Sequence, residues 1–340
     1  MKNIFNFTSA NIFKKKNLIL LFFLTVCFIS RLNSKIYLID IISQIGFQIL
    51  IVGIFLFFIF LFFRKILLSL TCILICFLLL ADILLSCNHC NAFLEDKSQN
   101  HNKIRLMTFN TGLINNFKNI HEQILLESPE IIQLQEVSPK VQSELKCLKS
   151  IFPYNTGLDK PLGYFSSIVL SKYPLKNTKV IGDYTVLTKV ILPDAELNII
   201  GLHLPAPLNQ FLLNLYADFY FSNSNATKPT PLPHANLDVI LKQMDHIKNL
   251  VNKNNKNIIL MGDLNMTIAS KRFTNFLHDA NLYTYVSYKH PTFTWPTRVP
   301  YYLGIQIDHV LFSKNFKVIK KKTGNHVGSD HRPLIVDLAF

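Results

Sequence analysis

The spacing of hydrophobic residues divides the chain into two unlike parts. Up to residue 94 the apolar positions are continuous rather than periodic, in runs at 18–30, 36–63 and 66–86. The second and third runs reach the roughly 20 residues that a helix needs to cross a bilayer. Asp40, Gln44 and Gln48 are confined to the first half of the second run, and Asp82 is the one charged residue in the third. A buried soluble core does not explain these two runs, because no polar residues alternate with the apolar ones. Arg64 and Lys65 leave only a tight hairpin between them. The first run follows Lys14, Lys15 and Lys16 and is short. Letting Arg31 snorkel to water extends it to residue 33 as a third helix. No small-x-small cleavage site follows it, so it reads as an uncleaved helix rather than a signal peptide. The pattern predicts a membrane anchor over 1–90 with helices at about 18–33, 43–63 and 66–86, a polar linker at 91–102, and one folded domain over 103–340.

Beyond residue 103 the apolar residues become periodic. Strand-like runs fall at 104–110, 131–136, 166–170, 186–192, 197–204, 258–261, 306–311, 316–319 and 334–338. Helical spacing falls at 119–127, 141–151, 237–251 and 271–280, with Ser138-Pro139 as a helix start. Elements that partly alternate and partly pair as hairpins predict an α/β domain with a mixed sheet system. Sheets packed face to face with helices outside would bury such strands.

Composition sharpens this division. Charged residues make up 16% and hydrophobic ones 49%, with the shortage of charge concentrated before Glu95. That excludes disorder and a wholly soluble chain. Lys2, Lys14, Lys15, Lys16, Arg64 and Lys65 outnumber Arg31 and Lys35 on the opposite loop of a three-helix topology. The positive-inside bias then predicts a multi-pass protein of the inner (cell) membrane, its folded domain on the periplasmic or extracytoplasmic side. From Lys103 onward Lys and Arg number 26 against 17 Asp and Glu, an excess that suits a polyanionic substrate or an anionic membrane surface. The run Lys320-Lys321-Lys322 reads as a solvated turn, and Cys147 as a buried thiol on a helix. Cys87 and Cys90 would form a disulfide in an oxidising compartment; a zinc site would need a second ligand pair nearby.

Polar residues interrupt the apolar strands at their ends. Asn110, Glu136, His203, Asp263 with Asn265, Asp308, and Asp330 with His331 each close or follow a separate strand. Any one of them could terminate a strand, make a turn or cap a loop. Burying six such groups without a shared partner would be costly. Together they suit phosphoric ester hydrolysis. Glu136 with Asn110 or Asp330 offers a hard divalent cation its oxygen ligands. Asp263 could activate water, and His331, oriented by Asp308, could donate a proton. No Gly-x-Gly-x-x-Gly, Walker loop, Gly-x-Ser-x-Gly or His-Glu-x-x-His occurs.

Seven blocks then occur in order: Thr108-Phe109-Asn110, Leu134-Gln135-Glu136-Val137, Gly201-Leu202-His203, Gly262-Asp263-Leu264-Asn265, Phe293-Thr294-Trp295-Pro296, Ile307-Asp308-His309 and Ser329-Asp330-His331-Arg332-Pro333. Over 103–340 the chain resembles the endonuclease/exonuclease/phosphatase superfamily, which includes DNase I, abasic-site endonucleases, neutral sphingomyelinases and inositol polyphosphate 5-phosphatases. The resemblance implies a four-layer α/β/β/α sandwich, here preceded by two or three transmembrane helices. It implies metal positions at Asn110, Glu136 and Asp330, and Mg²⁺ or Mn²⁺ as cofactor. Asp263 and Asn265 take the water-activating and phosphate-orienting positions, and Asp308 pairs with His331. His203 matches the second histidine of DNase I-like members, which orient it with an acid in the preceding hairpin. Here 162–171 contains no acid, and Asp159 is the nearest candidate.

Three functions follow as expectations. The first is a membrane-anchored phosphodiesterase or endonuclease acting on nucleic acid. The second is a hydrolase of a phospholipid or phosphorylated headgroup, of the sphingomyelinase or inositol-phosphatase type. The third is an inactive membrane-anchored binding protein. The segment 205–236, rich in aromatic residues, reads either as a helix on the sheet edge or as a lid beside His203. The partners implied are a phosphate-ester substrate and the membrane, with no protein partner.

Overall fold

The computed structural model of the chain describes residues 18–32, 37–85, 89–90, 102–112, 117–159, 167–181, 185–206, 237–254, 256–286 and 291–340. Most of the linker and of the aromatic segment after Pro205, together with Cys87, lie outside the described residues. The chain divides into two compact units. One holds the N-terminal helices with Thr267–Thr274, the other the remainder.

In the helical unit α1 (Leu18–Ile29), α2 (Tyr37–Gln44), α3 (Gly46–Phe62) and α4 (Ile66–Leu85) follow the three apolar runs. The second run breaks at Ile45, whose backbone (φ −102°, ψ 28°) leaves the helical region. The first helix ends at Ile29 and does not continue to residue 33. Phe23 and Cys27 of α1 pack with Ile49 and Leu50 of α3 and with Cys76, Leu79 and Ile83 of α4. Phe22, Phe28, Phe55, Phe62, Leu67 and Phe77 face outward, exposed. Among the described residues α4 is the one helix long and apolar enough to cross a membrane, and α1 and α3 are shorter apolar helices.

The α/β unit is built on two mixed sheets. The first has strand order β10-β11-β1-β2-β4-β3, from β1 (Lys103–Asn110), β2 (Ile131–Gln135), β3 (Tyr154–Asn155), β4 (Ser167–Ser171), β10 (Lys317–Thr323) and β11 (Leu334–Ala339). The second has order β5-β6-β7-β8-β9, from β5 (Leu175–Ile181), β6 (Thr185–Ile191), β7 (Glu196–His203), β8 (Ile258–Asp263) and β9 (Asp308–Phe312). Two pairs are parallel, β1 with β2 and β7 with β8. A parallel pair needs a crossover, and α5 (Phe117–Glu127) and α7 (Leu237–Asn254) lie in those connections.

Alternation places each strand residue on one of two faces. Leu106, Ile131, Val169, Ile199, Ile259, Met261 and Val310 form the core between the sheets. The other face of the first sheet, with Met107, Phe109, Ile132 and Leu134, packs Ile120 and Ile124 of α5 and Val141 and Leu145 of α6 (Pro139–Leu145). In the second sheet Ile258 and Leu260 point away from the shared core and are buried too. The result is the α/β/β/α arrangement expected.

Three expectations need correction. The helix expected at 141–151 stops at Leu145 and tightens into a 3-10 turn over Lys146–Ser150. That turn buries Leu148 and leaves Cys147 exposed, not buried. Lys320-Lys321-Lys322 is not a turn but part of β10. Lys321 Nζ donates to the Tyr285 carbonyl (2.7 Å) and to Gln306 Oε1 (3.1 Å), and burial lowers its pKa to about 7. Lys322 pairs with Glu127 at 2.6 Å.

Candidate active site

Strand register carries the predicted polar residues to one end of the α/β unit. In the second sheet His203 stands opposite Asp263, and Asp263 opposite Asp308. In the first sheet Asn110 ends β1 opposite Gln135, and Glu136 follows directly. Because β11 is antiparallel to β1 and begins at Leu334 beside Thr108, the loop carrying Ser329, Asp330 and His331 arrives at the same end.

The side chains there form one connected cluster. Asn110 Nδ2 donates to Glu136 Oε1 (2.9 Å) and to Asp263 Oδ2 (3.0 Å), while its Oδ1 accepts from Gly112 N (2.9 Å). Asp263 Oδ1 accepts from Asn265 N at 2.8 Å. Asn265 turns its own Nδ2 to the Leu204 carbonyl (2.7 Å). Asp308 Oδ2 and His331 Nδ1 are 2.9 Å apart, so the sequence-predicted pair forms. Nε2 of His331 and of His203 lie 3.7 and 3.8 Å from the same Asp263 Oδ2. His203 Nε2 is also 3.5 Å from Glu136 Oε1. Asp159 does not orient His203, because both its oxygens bind Lys149 Nζ at 2.9 Å on the surface. Asp330 Oδ2 accepts from Trp295 Nε1 at 3.1 Å.

Two of these residues have left-handed backbones, Glu136 (φ 51°) and Asn265 (φ 50°). Asn enters that region readily, Glu does not. Glu136 is held there by Thr111, whose hydroxyl donates to the Glu136 carbonyl at 2.6 Å.

Burial and crowding of carboxylates set the proton affinities. Glu136 is raised to about 7, first by burial and then by the neighbouring Asp330 carboxylate. Asp263 is raised by burial and by Asp308. For His331 burial pulls downward, but Asp308, with Asp330 and Asp263, outweighs it and lifts the imidazole well above its ordinary value.

Glu136 and Asp330 fit a divalent cation, since two mutually repelling, half-sequestered carboxylates are the oxygen donors that Mg²⁺ takes. Asn110 is placed among them, with its amide nitrogen toward Glu136 and Asp263. Asp263, Asp308 and His331 also bring one ligand atom each within 4.8 Å of one another. Because Asp308 is engaged by His331 Nδ1, that trio suits proton transfer better than metal binding.

Several residues that shape the site stand in the sequence blocks without having been assigned roles. Ser329 Oγ donates to the Asn110 carbonyl (2.8 Å) and accepts from His331 N (3.0 Å), joining two strand ends. Thr294 Oγ1 accepts from Ile307 N and Asp308 N, each at 3.2 Å. Beneath the site Thr108, Gln133, Gln135 and Ser167 form a buried hydrogen-bonded layer. Glutamines inside an apolar strand were the signal for it.

The model of the Endonuclease/Exonuclease/phosphatase family matches residues 107–331. No curated protein matches the chain in sequence. Among solved structures, a mutant beta toxin from Staphylococcus aureus with bound magnesium ions is 16% identical, with 69% of this chain and 99% of that one covered at a TM-score of 0.45. Sphingomyelinase C from Streptomyces griseocarneus is 14% identical, with 69% and 99% covered at 0.44. An endonuclease/exonuclease/phosphatase family protein from Leptotrichia buccalis is 14% identical, with 70% and 100% covered at 0.49.

Proposed function

The chain belongs to the endonuclease/exonuclease/phosphatase family, whose members hydrolyse phosphoric esters, and from that premise we propose a membrane-anchored, divalent-metal-dependent phosphodiesterase acting on nucleic acid. The observation that carries the reading is the convergence of Asn110, Glu136, Asp263, Asp308 and His331 into one buried hydrogen-bonded cluster. The basic excess of the α/β part favours a polyanionic substrate.

The residues divide the work as follows. Asp263, steadied by Asn110 and Asn265, takes a proton from water as the water oxygen bonds to phosphorus. His331 gives its Nε2 proton to the leaving-group oxygen as the bond from that oxygen to phosphorus breaks. Asp308 keeps that imidazole protonated and oriented through Nδ1. His203 stands across Asp263 from His331 and would contact the phosphoryl group. Glu136 and Asp330, with Asn110, would hold Mg²⁺ or Mn²⁺. Such an ion, when bound, supplies positive charge against a phosphoryl oxygen.

The helices α1, α3 and α4, apolar all round with exposed Phe and Leu, anchor the protein in the cell membrane. That same observation favours a second reading, a phospholipid or phosphorylated-headgroup hydrolase. Plasmid DNA, RNA, sphingomyelin and inositol phosphates, each assayed with Mg²⁺ and with excess EDTA, separate the two. Cleavage of DNA or RNA alone supports the first, and release of a headgroup alone supports the second. Undiminished hydrolysis in EDTA would sink the metal assignment.

A further inference from the structure

Asp308 and His309 are neighbours on β9, and strand alternation sends them to opposite faces of the second sheet. Asp308 meets His331 in the site, while His309 is fully buried and takes no part in the chemistry described above. Its ring belongs to a chain of polar side chains that lies wholly within the α/β unit. Nε2 of His309 is 2.8 Å from the Met266 carbonyl oxygen. Nδ1 is 3.3 Å from Gln306 Nε2, and that nitrogen is 3.1 Å from the Asp308 carbonyl oxygen. On the other side of the same amide, Gln306 Oε1 is 2.7 Å from Thr292 Oγ1 and 3.1 Å from Lys321 Nζ.

The direction of each bond follows from elementary chemistry. A carbonyl can only accept, so His309 Nε2 carries the proton. Burial, with the Lys321 ammonium nearby, lowers the imidazole pKa to about 3, so the ring is neutral and Nδ1 keeps its lone pair. Nδ1 must then accept, which turns the Gln306 NH2 group toward it. The Gln306 oxygen is left to the two donors, the Thr292 hydroxyl and the Lys321 ammonium. Reversing that amide would set acceptor against acceptor at Nδ1 and donor against donor at Lys321, a costly arrangement inside a protein. Gln306 therefore fixes both the tautomer and the tilt of His309. At the far end of the chain, Met266 closes the turn that begins at Asp263. In that turn Leu204 N donates to the Asp263 carbonyl (2.8 Å), Leu264 N to the Ile307 carbonyl (3.0 Å), and Asn265 is left-handed (φ 50°). The imidazole holds the exit of the same turn.

We propose that His309 is a positioning residue for Asp263 and Asn265, with Gln306 fixing the ring that does the positioning. By holding the Met266 carbonyl, the imidazole sets where the turn ends, and so where the Asp263 carboxylate and the Asn265 amide stand. Small misplacements of reacting groups cost rate more than binding. The kinetic half of this inference deepens the phosphoesterase reading and rests on it. The structural half does not.

Full-length protein in detergent micelles tests both halves. Hydrogen exchange of the peptide covering 262–266 is compared with that of β6 in wild type, His309→Phe, His309→Gln and Gln306→Leu. His309→Phe is expected to raise exchange at 262–266 about tenfold, and Gln306→Leu about threefold, with β6 unchanged. His309→Gln keeps an N–H donor at the reach of Nε2 and is expected to recover most of the protection. With bis(p-nitrophenyl) phosphate, His309→Phe should lower kcat about tenfold with KM within about twofold, and His309→Gln should return kcat to within about threefold of wild type. Unchanged exchange at 262–266 in His309→Phe overturns the proposal, as does raised exchange with a normal kcat. A His309→Gln variant as impaired as His309→Phe in both readouts overturns it too. If His309→Phe also raises exchange in β6, the whole unit is loosened and Gln306→Leu decides. A rise at 262–266 beyond that of β6 then supports the proposal, and an equal rise or none overturns it. If wild type hydrolyses no phosphoric ester, the phosphoesterase reading fails and the exchange arm alone decides this one.

Discussion

At His331 two opposing effects meet, and their balance sets the chemistry. Burial disfavours the imidazolium, but the Asp308 carboxylate at 2.9 Å, with Asp330 and Asp263, favours it more strongly. The group is therefore protonated at neutral pH, and activity that needs its proton declines as pH rises through its pKa. Asp308→Asn removes the main favourable charge, so the alkaline limb of kcat/KM should move to lower pH and the rate should fall about 10²-fold or more. Asp308→Ala and His331→Ala should be non-additive, and losses that multiply in the double variant would show the two do not act as a pair. Glu136 is raised too, but for a carboxyl burial acts in the raising direction. Its folded pKa of about 7 lies above an unfolded value of about 4.3. Between those values the folded state binds the extra proton, so stability declines as pH rises across that window. In EDTA the thermal midpoint of wild type should fall from pH 5 to 8 more steeply than that of Glu136→Gln. At pH 8 Mg²⁺ should raise the midpoint of wild type but not of the variant. An equal rise in both would remove Glu136 from the metal site.

Among elements, the parallel pair β7–β8 matters most, because it sets His203 beside Asp263. Gly262 makes that pairing possible with φ 150°, and an added Cβ would stand 1.7 Å from the Leu202 carbonyl oxygen. Gly262→Ala should cost about 3 kcal/mol or more of stability and inactivate the site, as read by urea unfolding. A midpoint within error of wild type would show that the strand end relaxes freely. The strands of the two cores announced themselves by apolar runs. The edge strand β5 did not, because Lys176, Asn177, Thr178 and Lys179 face solvent and carry a register shift. Its pairing comes from β6, not from its own pattern. The same limit explains Cys147, since helical spacing does not reveal where a helix tightens into a 3-10 turn.

For the whole molecule, the proposal of a membrane anchor carries with it, by the positive-inside bias of the sequence, an extracytoplasmic α/β unit. Cys90 is disulfide-bonded, and an oxidising compartment would keep that bond. An alkaline-phosphatase fusion after Phe340 should be active, and a cytoplasmic fluorescent reporter at the same place dark. The opposite pair of results would mean that α1 does not span, and would place the α/β unit on the cytoplasmic side.

Fold class and chemistry reside in local features. Continuous apolar runs before residue 94 and periodic ones after residue 103 separate a helical part from an α/β body. Glu136, Asp263, Asp308 and His331 are legible because polar groups closing buried strands need partners. The partners themselves are set by register, which no single strand encodes. Only the pairing of β8 with β7 and β9 puts His203, Asp263 and Asp308 side by side, and only the antiparallel return of β11 brings His331 to Asp308. Tertiary packing alone decided that Asp159 serves Lys149 rather than His203, and that Lys321 lies inside the fold. It also decided that Thr267, two residues past Asn265, bonds to Gln44 of a helix more than two hundred residues earlier. Such contacts depend on which surfaces meet once the chain has collapsed, and residue spacing along the chain carries no record of that.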